Sequence, residues 1–398
     1  MTVHPRGIAR VAGKVVQLMP ERMVALASRL SPSLSFDLRQ LPAAPSRPAG
    51  KIRLYVAPVN FAGQGNRWAR AAEAGVDGVA AVSMAYRFGH GFGHPVDQSV
   101  PVLAYLFARS WQRAQRDAVE RDFTHVLIEA GRQPFGRIFD QTVDDQVRSL
   151  LAAGLRVAMV AHGSDIRLPS RHAAGNADSP FRPGLWNKTP GLEREARENA
   201  RLFDRLGLPV FVSTPDLLID QPAATWLPVV VEPDRWAQND VPLLRDRPVV
   251  VHAPSSTVVK GSELIDPVLT GMQEEGIIEY VRAENIPAAD MPGFYGRADI
   301  VLDQVRIGGY GVAACEGMAA GRVVIGHVSD QTRDFVLQQT GRSLPIVESR
   351  ASALRDTILD VIARREHYRL LAADGIGFVR DVHDGRRSAE ALTPFLLS

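Results

Sequence analysis

Residues 298–328 read ADIVLDQVRIGGYGVAACEGMAAGRVVIGHV, and within this stretch lie groups able to hold a phosphate and a sugar. Gly308, Gly309 and Gly311 permit a tight turn and let the backbone come close to a ligand. The small residues 312–320 that follow read as a helix, between strands expected at 299–303 and 322–325. A helix N-terminus gathers unpaired N–H groups and about half a positive charge, which favours a phosphate. Glu316 lies four residues after Val312 on the same helical face, and its side chain leans back toward the turn. A carboxylate there can accept two hydrogen bonds from a vicinal diol such as ribose O2′/O3′. The amides of Gly309, Tyr310, Gly311 and Val312, with the Glu316 carboxylate, therefore suggest a nucleotide-sugar site.

Three further groupings could take part. A strand ending at His252 leads into a Ser-rich loop with Ser255 and Ser256, and then to Lys260 at a helix start. Lysine is a point charge suited to a diphosphate, and it stabilises the charge that develops there as a sugar departs. His162-Gly163-Ser164-Asp165 follows a buried strand at 157–161. His162 can donate to a sugar hydroxyl or act as acid or base near neutral pH. Asp165 is either a base or a cap of the next turn. Residues 60–66 place Gly63, Gln64, Gly65 and Asn66 in a loop that lets an acceptor or phosphate come close. Trp68 stands where a dinucleotide fingerprint needs its third glycine. The loop at 88–97 carries His90 and His94 without a complementary ligand set, so no metal is expected.

The elements that position these residues alternate. Strands are expected at 52–59, 79–84, 125–128, 157–161 and 209–212, and helices at 67–74, 102–121, 143–151 and 191–206, with a loop at 86–100. A second alternation begins at 248, with strands at 249–252 and 277–281 and helices at 261–272, 291–296 and 330–340. Helices at 352–374 and 377–387 close the chain. This pattern predicts α/β architecture, two Rossmann-like doubly wound domains facing a cleft, with ligands at the carboxyl ends of the strands. Pro228 and Pro233 make 226–236 a stiff connector. The expected division is a basic arm and linker at 1–50, an acceptor-side domain at 51–235, a nucleotide-sugar domain at 236–380 and a helical tail at 381–398 that packs back on the first domain.

A formal net charge of +2 over 398 residues is too small to argue for nucleic acid. The lone cysteine, Cys315, allows no internal disulfide, fits a reducing cytoplasm and reads as a buried packing residue. No apolar run is long enough to span a membrane. Residues 11–30 mix apolar and basic positions at helical spacing, broken at Pro20. This arm is either a docked or loose tail or a contact, through residues 1–30, with the inner face of the plasma membrane.

The stretch GGYGVAACEGMAAG, from Gly308 to Gly321, resembles the Glu-x7-Glu motif of the GT-B glycosyltransferases, in particular the retaining family 4 type. Tyr310-Gly311-Val312 match its phosphate-facing Phe-Gly-Leu, and Glu316 matches its second, ribose-binding Glu. The resemblance covers about residues 50–390. It implies transfer of a sugar from a nucleoside diphosphate sugar to a glycan, lipid-linked or small-molecule acceptor, and the basic arm points to cell-envelope polysaccharide or glycolipid synthesis. It also implies that Lys260 is the diphosphate lysine, that His162 lies near the donor sugar, and that no cofactor or metal is needed. Gly308 stands where the family has its first, sugar-touching Glu, and Ser255 where it has an Arg. Asp303, Gln304 and Arg306 are the neighbours available to compensate. A nucleotide-sugar 2-epimerase and an inactive partner subunit are the competing readings.

Overall fold

The computed structural model describes residues 19–30, 34–88, 93–238, 240–284 and 286–398. One parallel sheet has seven strands: β1 (Ile52–Ala57), β2 (Val79–Arg87), β3 (Gln98–Pro101), β4 (His125–Glu129), β5 (Arg156–Ala161), β6 (Val210–Val212) and β7 (Thr225–Trp226). Their order is β3-β2-β1-β4-β5-β6-β7. The second sheet has five: β8 (Val249–His252), β9 (Glu279–Arg282), β10 (Ile300–Leu302), β11 (Val323–Gly326) and β12 (Val347–Glu348), in the order β12-β11-β10-β8-β9. These are the two doubly wound sheets that the alternation predicts. In each, the order reverses once, between β1 and β4 and between β8 and β10, and ligands of such folds bind outside the carboxyl ends of the strands at that point.

The chain divides into two compact units, Met1–Met159 and Val160–Ser398. In the first, β1 pairs in parallel with β2 and β4, and residues 54–57 are fully buried. Tyr55 meets Phe123 edge-on at 5.4 Å and stacks on Phe135 at 6.3 Å. The helix expected at 67–74 runs Gln64–Gly75, because Gly63 at φ 77° turns the chain into it three residues early. The strand expected at 79–84 continues to Arg87, and the expected loop at 86–100 contains β3. The single helix expected at 102–121 is two, Val102–Phe107 and Arg109–Asp122, parted at Ala108 (φ −82°, ψ 84°) with neither Gly nor Pro to mark the break.

The described part of the arm is docked on this unit. A helix, Glu21–Ser28, starts directly after Pro20 and buries Val24 and Ser28, while Glu21 accepts from the Ser110 amide at 2.9 Å. Met23, Leu26 and Leu30 remain exposed. Residues 1–18, which hold much of the expected membrane contact, and His90 of the 88–97 loop lie outside the described residues. Among the described residues, no helix is long and apolar enough to cross a membrane.

In the second unit β10 lies between β8 and β11, with Ile300 opposite both Val250 and Val323. The Val- and Ile-rich strands β8, β10 and β11 are buried throughout, as parallel strands covered on both faces must be. The strand expected at 277–281 is shifted to Glu279–Arg282. The break expected near 375 falls instead at 383–385, where Gly385 (φ 105°) turns the chain between helices Arg365–Val382 and Arg386–Leu397. Gly375 serves packing: a Cβ there would come within 3.3 Å of Met318, so its absence lets the Arg365–Val382 helix approach the Val312–Ala319 helix. The Arg386–Leu397 helix returns to earlier segments, with Ser388 donating to the Pro228 carbonyl at 2.9 Å and Phe395 edge-on to Phe211 at 6.4 Å.

Candidate functional site

The two strands that flank the reversal in the second sheet release the two loops singled out by sequence. After β10 the chain turns through residues 303–311 and enters the Val312–Ala319 helix, as expected to within one residue. Gly308 takes φ 73°, a conformation that favours glycine. Its carbonyl accepts from the Ser329 amide at 2.9 Å and the Thr332 hydroxyl at 3.2 Å.

Gln304 braces the turn from within. Its amide nitrogen donates to the carbonyls of Gly309 at 2.7 Å and His327 at 2.6 Å, and its carbonyl accepts from the amides of Arg306 at 2.7 Å and Ile307 at 2.6 Å. Gly309 must be glycine for another reason: a Cβ there would meet the Asp216 carboxylate at 2.5 Å. Asp216 is itself buried and paired with buried Arg167.

The helix begins at Gly311, which supplies no side-chain cap. Gly311, Val312 and Ala313 are half-buried, whereas residues 314–320 are buried. The first turn is thus half-buried rather than enclosed, and no side chain caps its amides, as an anion site requires. Glu316 is 8% exposed, one turn further on. Cys315 is buried as expected, and burial pushes its thiol well above the usual range.

Tyr310 packs inward. Its side chain is buried and its hydroxyl reaches His383 Nε2 at 3.2 Å, while His383 Nδ1 lies 2.8 Å from the Val229 carbonyl. A carbonyl only accepts, so Nδ1 carries the hydrogen and Nε2 accepts from Tyr310. Burial holds this imidazole at about 4, down from 6.5, and so neutral. Only the Tyr310 amide is left to serve a ligand at the turn.

After β8, Ser255 is exposed and Ser256 half-buried. Lys260 was expected at a helix start; it ends a one-turn helix, Thr257–Lys260, and Gly261 at φ 82° leads into the next, Ser262–Glu274. Its ammonium pairs with the nearly buried Asp303, the first residue after β10. The two loops are thereby joined by an ion pair at the strand reversal. Buried His252 adds a second tie, from Nδ1 to the Leu302 carbonyl and from Nε2 to the Ser262 hydroxyl, each at 2.9 Å.

The neighbours available to replace the missing Glu and Arg are engaged elsewhere. Asp303 holds Lys260, Gln304 holds the turn, and Arg306 pairs with Glu263 at 2.7 Å and donates to the Val258 carbonyl at 3.2 Å.

His162 follows β5 and is half-buried. Asp165 is a brace of its own turn. Its carboxylate accepts from the His162 amide at 3.0 Å and the Gly163 amide at 2.6 Å, and it is 5% exposed. It thus closes the turn that precedes it rather than capping the next one.

A cavity of about 210 Å³ in the same unit borders Ile307 and Gly308. Its other walls include Arg167, Arg171, His172, Asp216, His327 and Arg350. His172 Nε2 donates to the Ile307 carbonyl at 3.0 Å, and its Nδ1 accepts from Ser179 at 2.7 Å. Burial holds this ring at about 4. Asn176 donates to the Arg306 carbonyl at 2.7 Å, so helix Pro169–Gly175 and its cap residue are tied to the turn. Among the sequence-derived candidates only Gly308 lines this cavity; Lys260, Glu316 and His162 do not. Arg167, Asp216 and His172 were not singled out by sequence, and they bear no local pattern that could have done so.

In the first unit, the loop of Gly63, Gln64, Gly65 and Asn66 leaves β1 at the other strand reversal. Glu129, ending β4 and fully buried, accepts from the amides of Val59 and Asn60 at 3.0 Å. A Cβ on Gly65 would come within 2.8 Å of it. The Asn66 amide donates to Asn60 Oδ1 at 2.9 Å and its side chain to the Ser83 hydroxyl at 2.9 Å. Gly63, Gln64 and Gly65 are buried. These residues shape the loop from inside.

No protein family matches the chain by sequence, and no curated protein matches it. Solved structures do resemble it. HepE of Anabaena, in complex with UDP and glucose, gives a TM-score of 0.57 at 12% identity, over 87% of this chain and 99% of its own. Sucrose-phosphate synthase of Thermosynechococcus elongatus gives 0.54 at 12% identity over 86% and 98%, respectively. A glycosyltransferase of Rickettsia africae gives 0.53 at 11% identity over 87% and 98%. Likeness at such identity concerns architecture: the chain has the fold of the GT-B glycosyltransferases.

Proposed function

We propose that this protein is a glycosyltransferase of the retaining family 4 kind, which moves a sugar from a nucleoside diphosphate sugar to an acceptor. The observation that carries the reading is the half-buried first turn of the Val312–Ala319 helix, without a side-chain cap, on a glycine turn braced by Gln304. It stands at the carboxyl ends of strands flanking a topological reversal, where doubly wound folds bind nucleotides. The amides of 309–312 and Lys260 hold the diphosphate, and Glu316 holds the ribose. HepE, crystallised with UDP and glucose, supports the choice of ligand. His162 is assigned to the donor sugar, and the basic arm supports an envelope acceptor at a membrane surface.

In the proposed reaction, the bond from the sugar's anomeric carbon to the diphosphate oxygen breaks and a bond to an acceptor oxygen forms. The acceptor's proton passes to the departing phosphate oxygen, so no protein base is required. Lys260 stabilises the charge that the diphosphate gains. A thermal-shift screen of uridine, guanosine, thymidine and adenosine diphosphates tests the handle. The matching nucleotide should stabilise the fold by about 2.7 kcal/mol at a hundredfold excess over its Kd. Absence of any shift, together with unchanged turnover in Glu316→Ala, would sink the reading.

A further inference from the structure

The cavity of about 210 Å³ beside Gly308 is smaller than the roughly 300–1,000 Å³ of pockets that enclose a whole drug-sized ligand, so it suits one ring of a larger molecule. Its wall continues through Ile307 and Gly308 into the turn that leads to the Val312–Ala319 helix. A group attached to a diphosphate at that N-terminus reaches the cavity past Gly308, where no side chain bars the way.

Along the wall, cationic donors outnumber anionic acceptors. Three guanidinium groups line it, those of Arg167, Arg171 and Arg350, against one carboxylate, Asp216. Arg167 Nη2 donates to one oxygen of Asp216, Oδ2. Arg167 Nε and Nη1 have no acceptor among the described residues. Arg171 spends Nε and Nη2 on Asp220 and keeps Nη1. Arg350 has only a long contact with Asp178 at 3.5 Å.

Of the two histidines, only His327 leaves a ring nitrogen open to the cavity. His172 has both ring nitrogens engaged. His327 gives Nδ1 to Glu348 at 2.6 Å and turns Nε2 toward Gly308, 3.5 Å from where a Cβ would stand. Asp220 pairs with Arg171, Asp178 with Arg350, and Glu348 with His327 and Arg333. A neutral sugar needs acceptors for its hydroxyl hydrogens, and here one oxygen of the single carboxylate is already engaged by Arg167. A carboxylate ligand only accepts, and it fits guanidinium forks.

We propose that this cavity receives the sugar of the donor and that this sugar carries a carboxylate, as in a nucleoside diphosphate uronic acid. The inference rests on the nucleotide-sugar reading above. Calorimetry with UDP, UDP-glucose and UDP-glucuronate separates the two, since bare UDP tests the handle and the ratio of the two sugars tests the cavity. If the diphosphate screen selects guanosine, GDP-mannose and GDP-mannuronate replace the uridine pair. The uronate should bind about tenfold or more tightly than the neutral sugar. Arg350→Met, which removes a half-exposed group with one weak partner, should erase most of that ratio while leaving affinity for the bare diphosphate as it was. Arg171→Lys, which keeps a charge for Asp220 but loses the fork, should lower the ratio as well. Equal or tighter binding of the neutral sugar, or a ratio indifferent to both variants, overturns the inference. If no nucleotide binds, the handle reading fails, and saturation-transfer NMR with free glucuronate and free glucose judges the cavity by itself. Preference for glucuronate, lost in Arg350→Met, upholds it; no preference overturns it.

Discussion

Replacing Gln304 by alanine should destabilise the second unit by about 4 kcal/mol. The side chain is 3% exposed and makes four hydrogen bonds of 2.6–2.7 Å, donating two and accepting two. Each neutral bond contributes about 1 kcal/mol net, within roughly 0.5–1.5. Three of the four backbone partners belong to the buried residues Arg306, Gly309 and His327, so water does not readily replace what is lost. Gln304→Glu isolates the donor half: it keeps the volume and an acceptor for Arg306 and Ile307, but turns an oxygen toward two carbonyls. It should cost a similar amount at neutral pH. Urea unfolding followed by tryptophan fluorescence, with the slope compared between variants, reads the loss. Nucleoside diphosphate affinity, read alongside, should fall because the turn is no longer fixed. A loss below about 1 kcal/mol with nucleotide affinity unchanged refutes the claim that this side chain builds the turn.

Lys260→Met should abolish diphosphate binding and also destabilise by about 3–5 kcal/mol, because nearly buried Asp303 is left charged and unpaired. Lys260→Met with Asp303→Leu should regain stability but not binding, in parallel melts and calorimetry. Tyr310→Phe strips the donor from buried His383 and should cost about 1–3 kcal/mol in the same melts. Gly309→Ala drives a methyl to 2.5 Å from the Asp216 carboxylate and should cost about 1–3 kcal/mol, seen as a lowered Tm. His172 and His383 are both held at about 4, below their ordinary 6.5. Above 6.5 neither state binds the proton. Between 6.5 and about 4 only the unfolded chain does, so each ring should erode stability on acidification, by about 1.4 kcal/mol per pH unit at most. Melts from pH 7.5 to 4.5 check this, and His383→Gln should flatten part of the slope.

What could be read from sequence was what local residues decide. The strand, glycine turn and helix of 299–320 emerged nearly residue for residue, because three glycines and a run of small side chains admit few alternatives. The break at Ala108 did not, since the pattern on either side is helical and no Gly or Pro interrupts it. Gly375 misled in the opposite sense: it permits close helix packing against Met318 and ends nothing. The site was harder, because its partners are set by sheet order. Asp303 meets Lys260 across 43 positions, and Arg167 meets Asp216 across 49. Gln304 carried one usable sign, a polar amide directly after a buried strand and inside a glycine turn. Tyr310 sits in the turn as read, but its side-chain partner was not legible: its hydroxyl meets an imidazole 73 residues away.

The bond from Ser388 to the Pro228 carbonyl has a temporal meaning. Its acceptor is synthesised 160 residues before its donor. At translation speeds of roughly 5–20 residues per second, Pro228 waits roughly 10–30 s for that partner. Phe211, in β6, waits longer still for Phe395. During that interval an apolar ring and a strand at the far side of the sheet stand uncovered on the nascent chain. A chaperone that captures ribosome-bound intermediates should therefore engage this region, and release it once the Arg386–Leu397 helix has emerged.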